Sequence, residues 1–115
     1  MIRFNQGDIV AVKFPYTDEP GKYKLRPAVV ISNKSMIEGE YIMIPVTSAP
    51  RNDEFTIQIK PGDLHGELNK ISKMRCSKIF TVHADFMNNK RYATLKNEPL
   101  QQVLDMVGKI IQYER

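Results

Sequence analysis

The sequence predicts a small, β-rich α+β domain, a partly open barrel of about five short strands followed by one C-terminal helix. Three observations carry this prediction. Apolar residues recur at period two in short runs up to residue 82, the signature of strands. Breaks rich in Gly, Pro, Asp and Ser separate those runs. After residue 99 the period changes to that of an amphipathic helix. With 115 residues, 42% of them hydrophobic, residues 1–115 have the size of a single domain that buries one core without disulfides or a structural metal.

The first strand is Asp8 to Phe14. Val10, Val12 and Phe14 share one face and Ile9, Ala11 and Lys13 the other, so both faces are covered at its start. Pro15 to Lys24 has loop chemistry. Ala28-Val29-Val30-Ile31, entered through Arg26-Pro27, is a β-branched second strand. The third, Tyr41 to Val46, contains Pro45, which cannot donate to a ladder and is expected at an edge or a bulge. Phe55 to Ile59 alternates and makes a fourth. Residues 70–82 read as one bent strand or two short ones. Leu100, Val103, Leu104, Val107 and Ile111 form the helical stripe, with Asn97 or Glu98 as its cap and Pro99 in its first turn.

Composition narrows the function. No apolar run is long enough to span a membrane, and the N-terminal stretch lacks the order of a secretory signal, so a cytoplasmic protein is expected. Cys76 is the single cysteine, and His65 and His83 have no ligand-spaced partner. No metal and no cofactor are therefore expected. Nucleotide-binding and serine-hydrolase motifs are missing. The net charge of +4 is carried wholly after residue 65, where nine basic residues face five acidic ones. Lys70, Lys73, Arg75 and Lys78 are concentrated there, and Lys73 and Arg75 share a strand face. They form either a phosphate-contacting stripe or a solvated barrel face. Arg26, rigid at a strand entrance, suits bidentate phosphate contact or a structural ion pair.

Several segments together resemble the MazF/PemK toxins: Gly7-Asp8-Ile9-Val10, Phe14-Pro15-Tyr16-Thr17-Asp18, Arg26 to Ser32, Pro45-Val46-Thr47-Ser48 and Ser72 to Thr81. Each motif is weak alone, but their order along most of the chain is specific. The resemblance implies an SH3-like barrel with a C-terminal helix, related also to CcdB. It implies a homodimeric toxin of a type II toxin–antitoxin system that cuts single-stranded RNA without metal. An acidic antitoxin would cover the RNA groove. By match, Arg26 and Thr47 are the catalytic pair. Ser48 and Arg75 are adjacent substrate contacts, joined by Lys73, Ser77, Lys78, Tyr16 and Thr17.

Metal-free RNA cleavage uses the ribose 2′-OH as internal nucleophile, and needs a proton acceptor and positive charge around the phosphorane. A guanidinium hardly ever deprotonates, which gives Arg26 an electrostatic role, with a possible acid role, and leaves the base open. Many related toxins carry an Asp where Ser77 stands, and Ser77 cannot accept a proton at neutral pH. Asp18 and Glu19 are substitute carboxylates. Tyr16, Phe14 and Tyr23 are candidates to stack on unpaired bases, His65 to contact a base and His83 to shuttle protons; Cys76 is expected in the core. The alternatives are a CcdB-like toxin directed at gyrase and a catalytically silent RNA-binding relative.

Overall fold

The computed structural model describes residues 3–15, 18–50 and 53–114. Tyr16 and Thr17 lie outside the described residues. The strands are β1 Asp8–Pro15, β2 Tyr23–Val30, β3 Glu40–Thr47, β4 Thr56–Gln58, β5 Leu64–Gly66, β6 Lys73–Arg75, β7 Phe80–His83 and β8 Met87–Leu95; the helix α1 is Asn97–Ile110. They hydrogen-bond in the order β4-β6-β3-β2-β1-β8-β5, with β7 joining β3 off this path. Every pairing is antiparallel. The sheet curls into a half-barrel with one C-terminal helix, the partly open barrel expected.

Burial on both faces follows from the paired apolar runs. Ile9 of β1 packs with Val29, Ile44, Val46 and Met74 in the larger cluster. Val10 and Val12 pack with Ala28, Val30 and Met43 in a second. Phe14 belongs to this second core and meets Phe80 edge to face at 5.3 Å, so it is a packing residue rather than a base-stacking one. Residues 70–82 do form two short strands, β6 and β7.

The helix closes the larger cluster. Val103 and Val107 are buried there, and Leu100, Leu104, Met106 and Ile110 pack around them. Each fully buried valine contributes about 1.5–3 kcal/mol of transfer free energy. Two details differ from expectation. The N-cap is Lys96, not Asn97 or Glu98, and its side chain makes no capping bond; instead the Lys96 N–H is held by the Asp63 carbonyl at 2.8 Å. Ile111 lies beyond the last helical residue and is 69% exposed, so the buried stripe ends at Ile110.

Pro45 is neither at an edge nor in a bulge: β3 is interior. Along its first half β3 pairs with β7, through Glu40 to Met43, and at its end with β6, through Val46 and Thr47. Pro45 falls where one partner gives way to the other, a place where a missing donor interrupts no continuous ladder.

Cys76 is fully buried, as expected. Burial pushes its thiol from 9.0 up to about 11, a backbone hydrogen bond opposes the rise, and the negative charge of Asp53 adds to it. The unfolded chain therefore releases this proton first as pH rises, and the contribution of the neutral thiol is lost between pH 9.0 and about 11. The loss amounts to roughly 2–3 kcal/mol. Urea titrations across this window are expected to show a steeper fall for the wild type than for Cys76→Ala, and iodoacetamide is expected to label Cys76 only after unfolding.

Candidate active site

The ladder between β2 and β3 runs Val30↔Met43, Val29↔Ile44 and Ala28↔Pro45, then stops. Pro27, whose nitrogen faces β3, has no N–H to continue it. Beyond this point the strand ends frame an open cleft of about 460 Å³, lined among others by Arg26, Pro27, Thr47 and Ser48. The same register carried two residues further sets Arg26 across from Thr47. The two residues expected to act together, far apart in sequence, thus share one cleft.

The row extends sideways. Val12 of β1 opposes Arg26, Lys73 of β6 opposes Thr47, and Gln58 of β4 opposes Lys73. Opposed residues of a sheet share a face, one strand spacing of about 4.8 Å apart. Lys73 therefore lies beside Thr47 on one side, outside the cleft lining, and Arg26 falls on the other side where the β2–β3 register is continued. Met74, next to Lys73, is fully buried while Lys73 and Arg75 are only partly so, which confirms that the two cations share the opposite face.

Thr47 Oγ1 accepts the Ala49 N–H at 3.1 Å. That bond orients the hydroxyl and leaves its proton to be donated outward. Arg26 is exposed, and among the described residues no carboxylate pairs with it. A structural ion pair is thus not its role. Tyr92 of β8, 40% exposed, and Leu25, 50% exposed, add an apolar surface to the same cleft. The remaining wall is the loop after β5, with Glu67, Asn69 and Lys70.

The other expected contacts lie elsewhere. Arg75 is two residues along β6 from Lys73, opposite Thr56, about 7 Å further from the strand end. Its Nε is buried without a hydrogen-bond partner among the described residues. Ser77 and Lys78 are exposed in the turn after β6 and do not line the cleft. Asp18 and Glu19 do not line it either, and Glu19 pairs with Lys22 at 3.3 Å. His83 is structural: its Nδ1 accepts the Asp85 N–H at 3.1 Å. His65 pairs across β8 with Thr94, outside the cleft.

Glu67, Asn69 and Tyr92 were not legible as site residues. The first two lie in a loop without a motif. Tyr92 stands in a polar strand, and β-bulges between β1 and β8 interrupt its alternation.

A family model described as PemK-like, MazF-like toxin of type II toxin-antitoxin system matches residues 5–111. Among solved structures, the chain resembles a chain of a MazE–MazF crystal structure (Form-II) from Deinococcus radiodurans, with TM-score 0.78, 15% identity and coverage of 99% of each chain. It also resembles an endoribonuclease in complex with its cognate antitoxin from a Mycobacterial species, with TM-score 0.75, 11% identity and coverage of 98% of this chain and 99% of that one. The Mycobacterium tuberculosis toxin MazF-mt6 has TM-score 0.71 at 13% identity, covering 94% and 99%. No curated protein matches by sequence comparison.

Proposed function

Because the chain belongs to the PemK-like, MazF-like toxins of type II toxin-antitoxin systems, we propose that it is an endoribonuclease that cleaves single-stranded RNA without a metal ion. One observation carries this reading. Arg26 and Thr47 line one open cleft, and Lys73 of β6 pairs with Thr47 beside it.

That arrangement suits a phosphodiester. The scissile phosphate sits over Thr47, whose hydroxyl donates to one non-bridging oxygen. The Arg26 fork and the Lys73 ammonium neutralise the charge that grows on the phosphorane. The 2′-oxygen forms its bond to phosphorus, the bond to the 5′-oxygen breaks, and a 2′,3′-cyclic phosphate remains. Ser48 extends the donor set at the strand end. Tyr92 and Leu25 offer an apolar platform to an unpaired base, in which stacking is worth about 1–3 kcal/mol. Arg75, further along β6, and Ser77 and Lys78, in the turn after it, serve neighbouring phosphates, as the family resemblance implies. A requirement for the 2′-OH itself restricts the reaction to RNA. A target such as gyrase would need none of the groups in this row, which favours the nuclease reading.

The solved relatives include complexes with antitoxins, which supports an antitoxin for this chain. An acidic segment complements the cations of the cleft, among them Lys24, Arg26 and Lys70. Homodimerisation and a cytoplasmic location belong to the same reading, with residues 1–115 acting as one domain; no helix among the described residues is long and apolar enough to cross a membrane.

Incubation of the purified protein with mixed-sequence single-stranded RNA in excess EDTA is expected to yield discrete fragments ending in cyclic phosphate. A 2′-deoxy substitution at a cut position is expected to block that cut. RNA left intact by the wild-type protein overturns the reading.

A further inference from the structure

Metal-free cleavage requires a group to take the 2′-OH proton, and Arg26, Thr47 and Lys73 are all donors at neutral pH. We propose that Glu67 is this general base, its carboxylate acting in the Arg26–Thr47 cleft. The inference rests on the nuclease reading above and adds the proton acceptor that reading lacks.

Among the described residues lining the cleft, Glu67 is the single carboxylate, and no histidine is present. The alternatives suggested by sequence are placed elsewhere. Ser77, Asp18 and Glu19 do not line the cleft, and Asp53 already accepts from the Phe55 N–H and the Thr56 hydroxyl. The remaining titratable groups that face the cleft are Lys24, Arg26, Lys70 and Tyr92. Three of these are cations, which places the one carboxylate of the lining among donors suited to phosphate.

The loop that carries Glu67 is built to present it. Gly66, immediately before, has φ +99° and lies against β8, where an added Cβ would meet Ala93 Cα and the Tyr92 carbonyl at 3.1 Å. Only glycine fits both the left-handed conformation and that close approach. Leu68, immediately after, packs against the larger core. At the far end of the loop Ser72 is buried, its Oγ donates to the Lys70 carbonyl at 2.9 Å, and its own carbonyl accepts the Ile59 N–H at 2.9 Å. Glu67 is therefore an exposed side chain on a backbone fixed at both neighbours, which is how a catalytic group is held without being buried.

The proton balance is simple. Glu67 removes the proton as the 2′-oxygen bonds to phosphorus, and the departing 5′-oxygen takes a proton from solvent in the open cleft. Glu67 returns its own to water after product leaves.

The test compares wild type, Glu67→Gln and, as a charge control outside the cleft, Glu38→Gln. Each is assayed by single-turnover RNA cleavage from pH 5 to 9 and by binding to an uncleavable RNA with 2′-O-methyl ribose. The expected result is about a 10²-fold loss of cleavage for Glu67→Gln. The fall in rate toward acid pH, present in wild type, is expected to vanish, while RNA binding is unchanged or tighter. Glu38→Gln is expected to match wild type. Glu67→Gln cleaving at the wild-type rate, or losing RNA binding in proportion to cleavage, overturns the assignment. A wild-type protein that does not cut RNA instead overturns the nuclease reading, so the two failures are distinguishable.

Discussion

Replacing Arg26 by alanine is expected to lower single-turnover RNA cleavage about 10²–10³-fold, the effect of removing one preorganised donor from a developing oxyanion. The loss should be catalytic rather than structural. Arg26 is exposed, and no ion pair among the described residues depends on it. The backbone at this position is held by pairing with Val12 of β1, which alanine preserves. Urea denaturation curves of the variant and the wild type should therefore coincide within about 0.5 kcal/mol. Arg26→Lys restores the charge but not the planar fork, and an intermediate rate is expected. Thr47→Val removes one neutral donor and should cost less than Arg26→Ala. If Arg26→Ala cleaves like wild type, the row of Arg26, Thr47 and Lys73 is not the reaction centre.

The largest expected loss of stability comes from Asp8→Ala, at about 3 kcal/mol. Asp8 is 1% exposed, although it is a carboxylate at the start of β1. One oxygen accepts the Asn5 N–H at 2.8 Å and the other accepts the Thr94 hydroxyl at 2.9 Å. These bonds tie the N-terminal turn and β8 to β1. Alanine would strand both donors in a poorly hydrated site. The nearby Arg91 guanidinium, at 3.7 Å, is 56% exposed. A pair so open to solvent contributes little, so Arg91→Ala is expected to cost under about 1 kcal/mol. The two variants together separate buried hydrogen bonding from charge pairing. They are read from urea midpoints at constant m-value. An Asp8→Ala midpoint equal to that of Arg91→Ala would show that the hydrogen bonds do not carry the stability. Asp8 stands within Gly7-Asp8-Ile9-Val10, so this segment serves the fold rather than the chemistry.

The elements written in apolar periodicity were legible. β1, β2, β3 and α1 bury the faces their spacing marks, because period two and period 3.6 leave different residues on the inner side. β8 was not. Between Met87 and Ala93 it carries mostly polar residues, and its bulged register against β1 removes the regular alternation. β5 is three residues long, too short to show a period. The helix cap was misplaced because Lys96 is held by the Asp63 carbonyl, a contact made across the fold.

The candidate site divides along the same line. Residue type and motif order pointed to Arg26 and Thr47, to a cationic β6 and to a toxin of this family. The sequence by itself determined the inventory of donors and the strands that carry them. Only the tertiary structure decided their grouping. Antiparallel pairing brings Arg26 and Thr47 to one cleft and sets Lys73 opposite Thr47, while Arg75, Ser77 and Lys78, nearest to Lys73 in sequence, are carried away along β6 or into the turn after it. It also brings Glu67 and Tyr92 to the cleft from a loop and a strand that no motif marks. The physical reason is that strand pairing juxtaposes residues by summed position across the ladder, whereas closeness along an extended chain separates them by more than 3 Å per residue.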